Sequence, residues 1–262
     1  MPQDYVILCL AAALGGAINA IAGGGTLLTF PALFAALGTS PEAAVIANAT
    51  STVALMPGSV AALAGYRREI QQERHWARAL LVPSLIGGFV GSLSVVLLPS
   101  ELFKAAVPWL ILTAALLFAL QPQIARWTGI GKPHPTLHSR RLIAGAWSFQ
   151  FCVAVYGGYF GAGIGILMLS ALAMLGLTDI HRMNAVKTLL ASVINGTSVL
   201  VFVSTGKVHW PFALAMAVAA SIGGFLAAHT ARGIDRRAVR AIVVTIGFGL
   251  AGYYFYRQLL GG

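Results

Sequence analysis

The sequence predicts an all-α polytopic membrane protein made of two inverted-topology repeats. Each repeat is a broken or re-entrant helical hairpin followed by three transmembrane helices. Three observations lead there. Composition comes first: 58% of residues are hydrophobic and only 9% charged, with a mean hydropathy of +0.83. A soluble domain averages about 25% charged residues, so this chain cannot cover a water-facing surface. The second is an internal duplication, and the third is the placement of the basic loops. Long continuous apolar runs also exclude a β-barrel, whose strands alternate over short segments.

The elements follow from the intervals that lack Asp, Glu, Lys and Arg. These are 5–41, 43–66, 79–100 and 105–125, then 142–178, 188–206, 208–231 and 241–256. A crossing helix needs roughly 20 apolar residues, and six intervals are about that size. Intervals 5–41 and 142–178 are 37 residues each, too long for one crossing. Glycine clusters interrupt both, at "AGGGT" (22–26) and "GAGIG" (161–165). Around Gly23–Gly25 the arms are roughly 18 and 12 residues, and the shorter one, containing Pro31, spans only about 18 Å. It cannot cross a hydrocarbon core of about 30 Å, so a hairpin broken near the midplane is expected. The alternative is a single long, kinked helix.

The two long intervals open matching halves. An offset of 138 pairs Gly23 and Gly25 with Gly161 and Gly163, Leu37-Gly38 with Leu175-Gly176, and Thr50 with Thr188. An offset of 136 pairs Ile86-Gly87-Gly88-Phe89 with Ile222-Gly223-Gly224-Phe225, and Lys104 with Arg240. The shared order marks a duplication. The proline-containing basic loop between the halves sets the boundaries: 1–125 is the first membrane repeat, 126–140 a basic cytoplasmic linker, and 141–262 the second repeat.

Basic residues decide the orientation. If each long interval enters and returns on one side, the loops 65–78, 121–141, 177–187 and 231–240 share a compartment. They hold 14 of the 17 Lys and Arg residues, leaving Lys104, Lys207 and Arg257 opposite. Four crossings per half would instead split the basic residues 10 to 7. The positive-inside rule favours the first arrangement, which makes the repeats inverted and puts both termini outside. The net charge of +10 is therefore a property of cytoplasmic loops, and nucleic acid is not an expected partner.

Irregular backbone at membrane depth is tolerated only where protein buries it or a wet cavity faces it. Two such breaks brought together by inverted symmetry are expected at a transporter's central site. Each break precedes a helical run, so unpaired amides and the positive helix end favour an anion. Gly23, Gly24, Gly25 and Thr26 form the first candidate cluster, and Gly161 and Gly163 the second. Gly157, Gly161 and Gly165 also fit a close helix-packing face, as do Gly87-Gly88 and Gly223-Gly224. On the following helices, Asn48 and Thr50 in "ANATST", and Asn184, Lys187 and Thr188 in "NAVKT", add donors. Such groups also serve as interhelical hydrogen bonds, and Lys187 either lines an anion's route or snorkels to the cytoplasmic surface.

His209 and His229 stand near helix ends and read as interfacial. No Asp or Glu lies deep in a span, so the usual carboxylate proton relay is not visible. Catalytic motifs such as H-E-x-x-H, G-x-S-x-G and the P-loop are missing, and no enzyme, cofactor or metal site is expected. Cys9 and Cys152 lie in apolar sequence, so no disulfide is inferred.

The segment "GGAINAIAGGGTLLTFPALFAALGTSPEAAVIANATSTV", then a basic loop and "LIGGFVGS", resembles the TauE/SafE sulfite-exporter-like membrane permeases. A second copy, "GGYFGAGIGILMLSALAMLGLTDIHRMNAVKTLLASVIN", extends the resemblance over nearly the whole chain. It implies transport of small sulfur-containing anions such as sulfite, thiosulfate or sulfonates, in bacterial plasma membranes. The expectation is a multi-pass secondary transporter of such an anion, working by alternating access, with the lipid bilayer around it and homo-oligomerisation left open. A passive anion channel and a non-transporting interaction subunit are the alternatives.

Overall fold

A computed structural model describes residues 2–38, 40–128, 140–230 and 236–260. Those residues are helical with short connections: α1 (Pro2–Ala22), α2 (Thr26–Leu37), α3 (Pro41–Gly65), the short α4 (Arg67–Gln72), α5 (Arg74–Leu97) and α6 (Ser100–Trp127). The second half follows with α7 (Arg140–Tyr159), α8 (Ile164–Met174), α9 (Ile180–Ser204), α10 (Trp210–Thr230) and α11 (Arg236–Leu259). Most of the expected linker 126–140 lies outside the described residues.

Local chemistry sets the helix starts. Ser40 caps α3, its hydroxyl accepting from the Ala43 amide at 3.1 Å, with Pro41 at the first helical position. Asp179 caps α9 by accepting from the amides of His181 at 2.8 Å and Arg182 at 3.4 Å. The His181 amide, then that of Arg182, outweighs desolvation and holds this carboxyl below the ordinary range.

Both long intervals turn back on themselves. A Cβ on Gly15 would lie 2.8 Å from Thr29 Cγ2 and 3.1 Å from the Gly25 carbonyl oxygen, so α2 packs down on α1. In the second hairpin a Cβ on Gly157 would lie 3.2 Å from Ile164 Cδ1. Neither interval is a single kinked helix. The first arm, α1, is longer than expected at 21 residues and α2 has the expected 12; the arms of the second hairpin are 20 and 11 residues. At 1.5 Å per residue α1 is about 31 Å long. Among the described residues seven helices, α1 included, are long and apolar enough to cross a membrane, one more than the six crossings expected.

Helices α3 and α9 run antiparallel where they touch, as do α6 and α11. Ser192 on α9 donates to the Ser59 carbonyl on α3 at 3.3 Å, while Met56 Cε lies 3.5 Å from a Cβ placed on Gly196. Across α6 and α11, Trp109 meets Phe255 at 4.9 Å between ring centroids, and Ala115 lies against Gly247. Other contacts group the loops. Arg182 pairs with Glu73 at 3.2 Å, joining the starts of α9 and α5 at one end. The His209 amide donates to Thr50 Oγ1 at 3.0 Å near the other.

Each half lends a helix to the other. Gly87 on α5 lets α7 approach, since a Cβ there would sit 2.7 Å from the Phe151 carbonyl oxygen; Gly223 on α10 does the same against Ala13 of α1. These are equivalent contacts under the sequence offsets, so Gly87 and Gly223 are packing glycines. The core is accordingly shared, with Phe30, Phe103 and Phe118 buried beside Phe160, Phe202 and Met216. Outward, Ile86 and Phe89 on α5 and their counterparts Ile222 and Phe225 on α10 are exposed apolar residues, as a lipid-facing surface requires.

Candidate functional site

The glycine clusters shape both hairpin tips. Gly23 has φ +76° and its equivalent Gly161 φ +83°, the left-handed region that only glycine enters without strain. At the first tip the Gly23 amide closes α1 on Ile18 O and Asn19 O at 3.2 and 3.1 Å. The carbonyls of Gly24 and Gly25 then accept the first turn of α2, and no side chain caps that helix. Its leading amides, from Gly24 to Thr26, are the donors of the first break. At the second tip Gly163 is also left-handed, at φ +82°, α8 again starts without a side-chain cap, and the Tyr156 hydroxyl donates to the Ala162 carbonyl at 2.9 Å.

The two tips meet around one aromatic ring. Phe118 of α6 is fully buried and lies against Gly24, where a Cβ would overlap the ring. On its other side a Cβ on Gly163 would be 3.8 Å from Phe118 Cε2 and 3.3 Å from Leu117 Cδ1. Phe30 of α2 packs edge-on against Phe160 of the second tip, centroids 5.4 Å apart. Asn48 of α3 ties the halves by donating from Nδ2 to the Tyr159 carbonyl at 3.0 Å. The side chain is buried, and among the described residues its Oδ1 has no hydrogen-bond partner. A buried orphan acceptor of this kind costs about 1–3 kcal/mol unless something donates to it.

The remaining expected residues divide. Thr26 is half-buried at the first break. Thr50 faces away from Asn48 and accepts the His209 amide, while His209 Nδ1 accepts from the Phe212 amide at 3.4 Å. His209 thus caps α10. Asn184 donates to the Ile180 carbonyl at 2.9 Å near the start of α9, away from the tips. Lys187 lies against the second hairpin, its Cδ 3.3 Å from where a Gly165 Cβ would be. Thr188 is half-buried beside it. The burial of His229's side chain lies outside what the structure describes.

Thr29 and Phe118 are residues the sequence did not single out. Thr29 Oγ1 is 2.6 Å from Ser51 Oγ and donates to the Gly25 carbonyl at 3.2 Å, fastening the first tip to α3. Helix geometry was the available signal. Residues three apart on α3 are about 60° apart around the axis, whereas residues two apart differ by about 160°. Asn48 therefore shares a face with Ser51, not with Thr50.

Apolar helices enclosing two uncapped breaks define a multi-pass α-helical membrane protein of transporter design. The family model for the sulfite exporter TauE/SafE matches residues 8–254, and the chain belongs to that family. A probable membrane transporter protein YfcA of Escherichia coli K12 is 27% identical over 95% of this chain and 89% of its own length. Probable membrane transporter proteins of a Sinorhizobium species and of Haemophilus influenzae Rd are 25% and 26% identical. They cover 93% and 92% of this chain, and 89% and 90% of themselves. No solved structure matches. The chain is a membrane transporter.

Proposed function

We propose that the chain is a secondary transporter for a small sulfur-containing oxyanion such as sulfite, thiosulfate or an organosulfonate, operating in the plasma membrane by alternating access. The halves act as inverted repeats, each hairpin entering from its own side, and the anion binds where the tips meet. One observation carries this reading: two helix starts, neither capped by a side chain, converge on Phe118, with Asn48 tying α3 to the second tip. Helix N-termini supply directed amides and positive dipole ends to an anion. Gly24, Gly25 and Thr26 donate from one side and the amides of Ala162 and Gly163 from the other, the Gly161 amide being spent on the Tyr156 carbonyl at 3.2 Å.

Thr29, Ser51 and Asn48 complete the shell, and Lys187, next to the second tip, draws the anion in from the basic end. Thr50 and Asn184 are engaged elsewhere and are left out of that shell. Tight aromatic packing favours a transporter over an open channel, because Phe30, Phe118 and Phe160 are buried between the tips.

Counterflow in proteoliposomes tests the proposal. Labelled sulfoacetate or thiosulfate should accumulate transiently against unlabelled internal anion, with saturation. Non-saturating flux without counterflow would indicate a channel. No flux of any sulfur oxyanion would overturn the substrate class.

A further inference from the structure

We propose a second, peripheral anion site at the end of the bundle opposite the arginine-rich loops. A cavity of about 250 Å³ opens there between α2, α6 and α11. Its lining includes Lys104 and Glu101 on the first turns of α6, Arg257 and Tyr254 on the last turns of α11, and Phe34 of α2. Only three basic residues, Lys104, Lys207 and Arg257, belong to this end by their place in the sequence. Two of the three face one cavity. They come from different halves and meet because α6 and α11 run antiparallel.

The charges there are available. Among the described residues neither Lys104 nor Arg257 makes an ion pair, and the Arg257 guanidinium is held 6.0 Å above the Tyr253 ring. Glu101 is the single carboxylate in the lining, so the cavity carries a net charge of +1. A guanidinium fork beside an ammonium suits a tetrahedral or pyramidal oxyanion. The volume lies below the roughly 300–1,000 Å³ of pockets for drug-sized ligands, and it fits a sulfonate or phosphate group with few other atoms.

The floor separates this cavity from the hairpin tips. Phe34 stacks on Phe30 at 5.8 Å and meets Tyr254 at 5.8 Å, and Phe30 in turn touches Phe160 at the second tip. From Gly25 to Phe34 is about 14 Å along α2, so the peripheral ligand is distinct from one held at the tips. The site does not depend on what the protein transports. Its oxyanion comes either from solution or from the headgroup of an anionic lipid.

Thiol labelling tests it without a transport assay. Ala105, which lines the cavity, is changed to Cys in a background with Cys9 and Cys152 replaced by Ser. The protein is reconstituted in phosphatidylcholine nanodiscs and treated with sulfonatoethyl or trimethylammonioethyl methanethiosulfonate. With each rate divided by that reagent's rate toward free 2-mercaptoethanol, the anionic reagent should be favoured at least about threefold, and the preference should vanish in the K104Q/R257Q double variant. Methanesulfonate should slow the anionic reagent more than chloride at equal ionic strength if the ligand is soluble. Slowing on adding phosphatidylglycerol, without that protection, assigns the headgroup. Equal normalised rates, a normalised preference for the cation, a preference that survives the double variant, or protection by neither anion would overturn the site. If Ala105→Cys does not elute as folded protein, Gln258→Cys reports from the same cavity.

Discussion

The two hairpins share their turns but not their surroundings. Gly23 and Gly161 take the same left-handed conformation, as do Gly38 and Gly176 at the ends of the short arms, with φ +97° and +92°. Beyond these turns the halves diverge. In the first hairpin Gly25 is helical at φ −56°, and hydroxyls surround the tip through Thr29 and Ser51. In the second, Gly163 is left-handed and Tyr156 latches the loop from within. Gly165 stands where the first half has Leu27, and Lys187 where it has Ala49. The small residue and the long one have changed places, so the second half carries a cation where the first is apolar. The two copies share the geometry that turns the chain and differ in the side chains around the turns.

Substitution at the tips should separate the halves most strongly. Gly24→Ala places a Cβ in the Phe118 ring, and transport should fall by more than tenfold, with partial recovery in a Gly24→Ala/Phe118→Leu double variant. Gly161→Ala meets only the Gly157 carbonyl oxygen at 3.0 Å, so it should cost chiefly the left-handed strain of about 1–2 kcal/mol. That is read as a lower melting temperature with counterflow largely kept. Equal losses of transport in both variants would erase the distinction.

Asn48→Leu comes next. It removes the bond to the Tyr159 carbonyl and should destabilise the protein by about 1–3 kcal/mol, measured by thermal unfolding in detergent, with transport reduced as well. Lys187→Met should raise the KM for anion uptake several-fold while kcat and melting stay near wild type. An unchanged KM would return Lys187 to a snorkelling surface residue.

The smallest effect concerns the cap of α9. Hydrogen bonding to the ionised form holds Asp179 below the ordinary carboxylate range. Its contribution is therefore present above the unfolded pKa and lost as pH falls through the lower folded one. Asp179→Asn should reduce that acid-side slope in a melting-temperature series across pH, leaving transport at neutral pH intact.

Much of this arrangement could be read in the residues. The hairpins were legible because intervals of 37 uncharged residues are too long for one crossing and glycines interrupt each. Arm length was less so: α1 runs from Pro2 because an apolar count starts at the last charge, Asp4, while the backbone helix does not. At the site, glycines and Asn48 stood out because each is costly in an apolar helix without a purpose. Phe118 did not, since a phenylalanine among apolar residues carries no local mark, and only the packing of α6 between the tips gives it one. The exchange of α5 and α10 between halves was hidden for the same reason. Residue type alone points to Thr50 and Asn184, whereas rotation about the helix axis decides which polar groups face the tips.

In the proposed mechanism both tips hold one anion together. Selenite, which scatters anomalously in place of sulfite, should give a strong peak within hydrogen-bond reach of the residue 24–26 amides and of the Ala162 and Gly163 amides. A crystal that binds selenite only between Lys104 and Arg257, or along one hairpin alone, would contradict it.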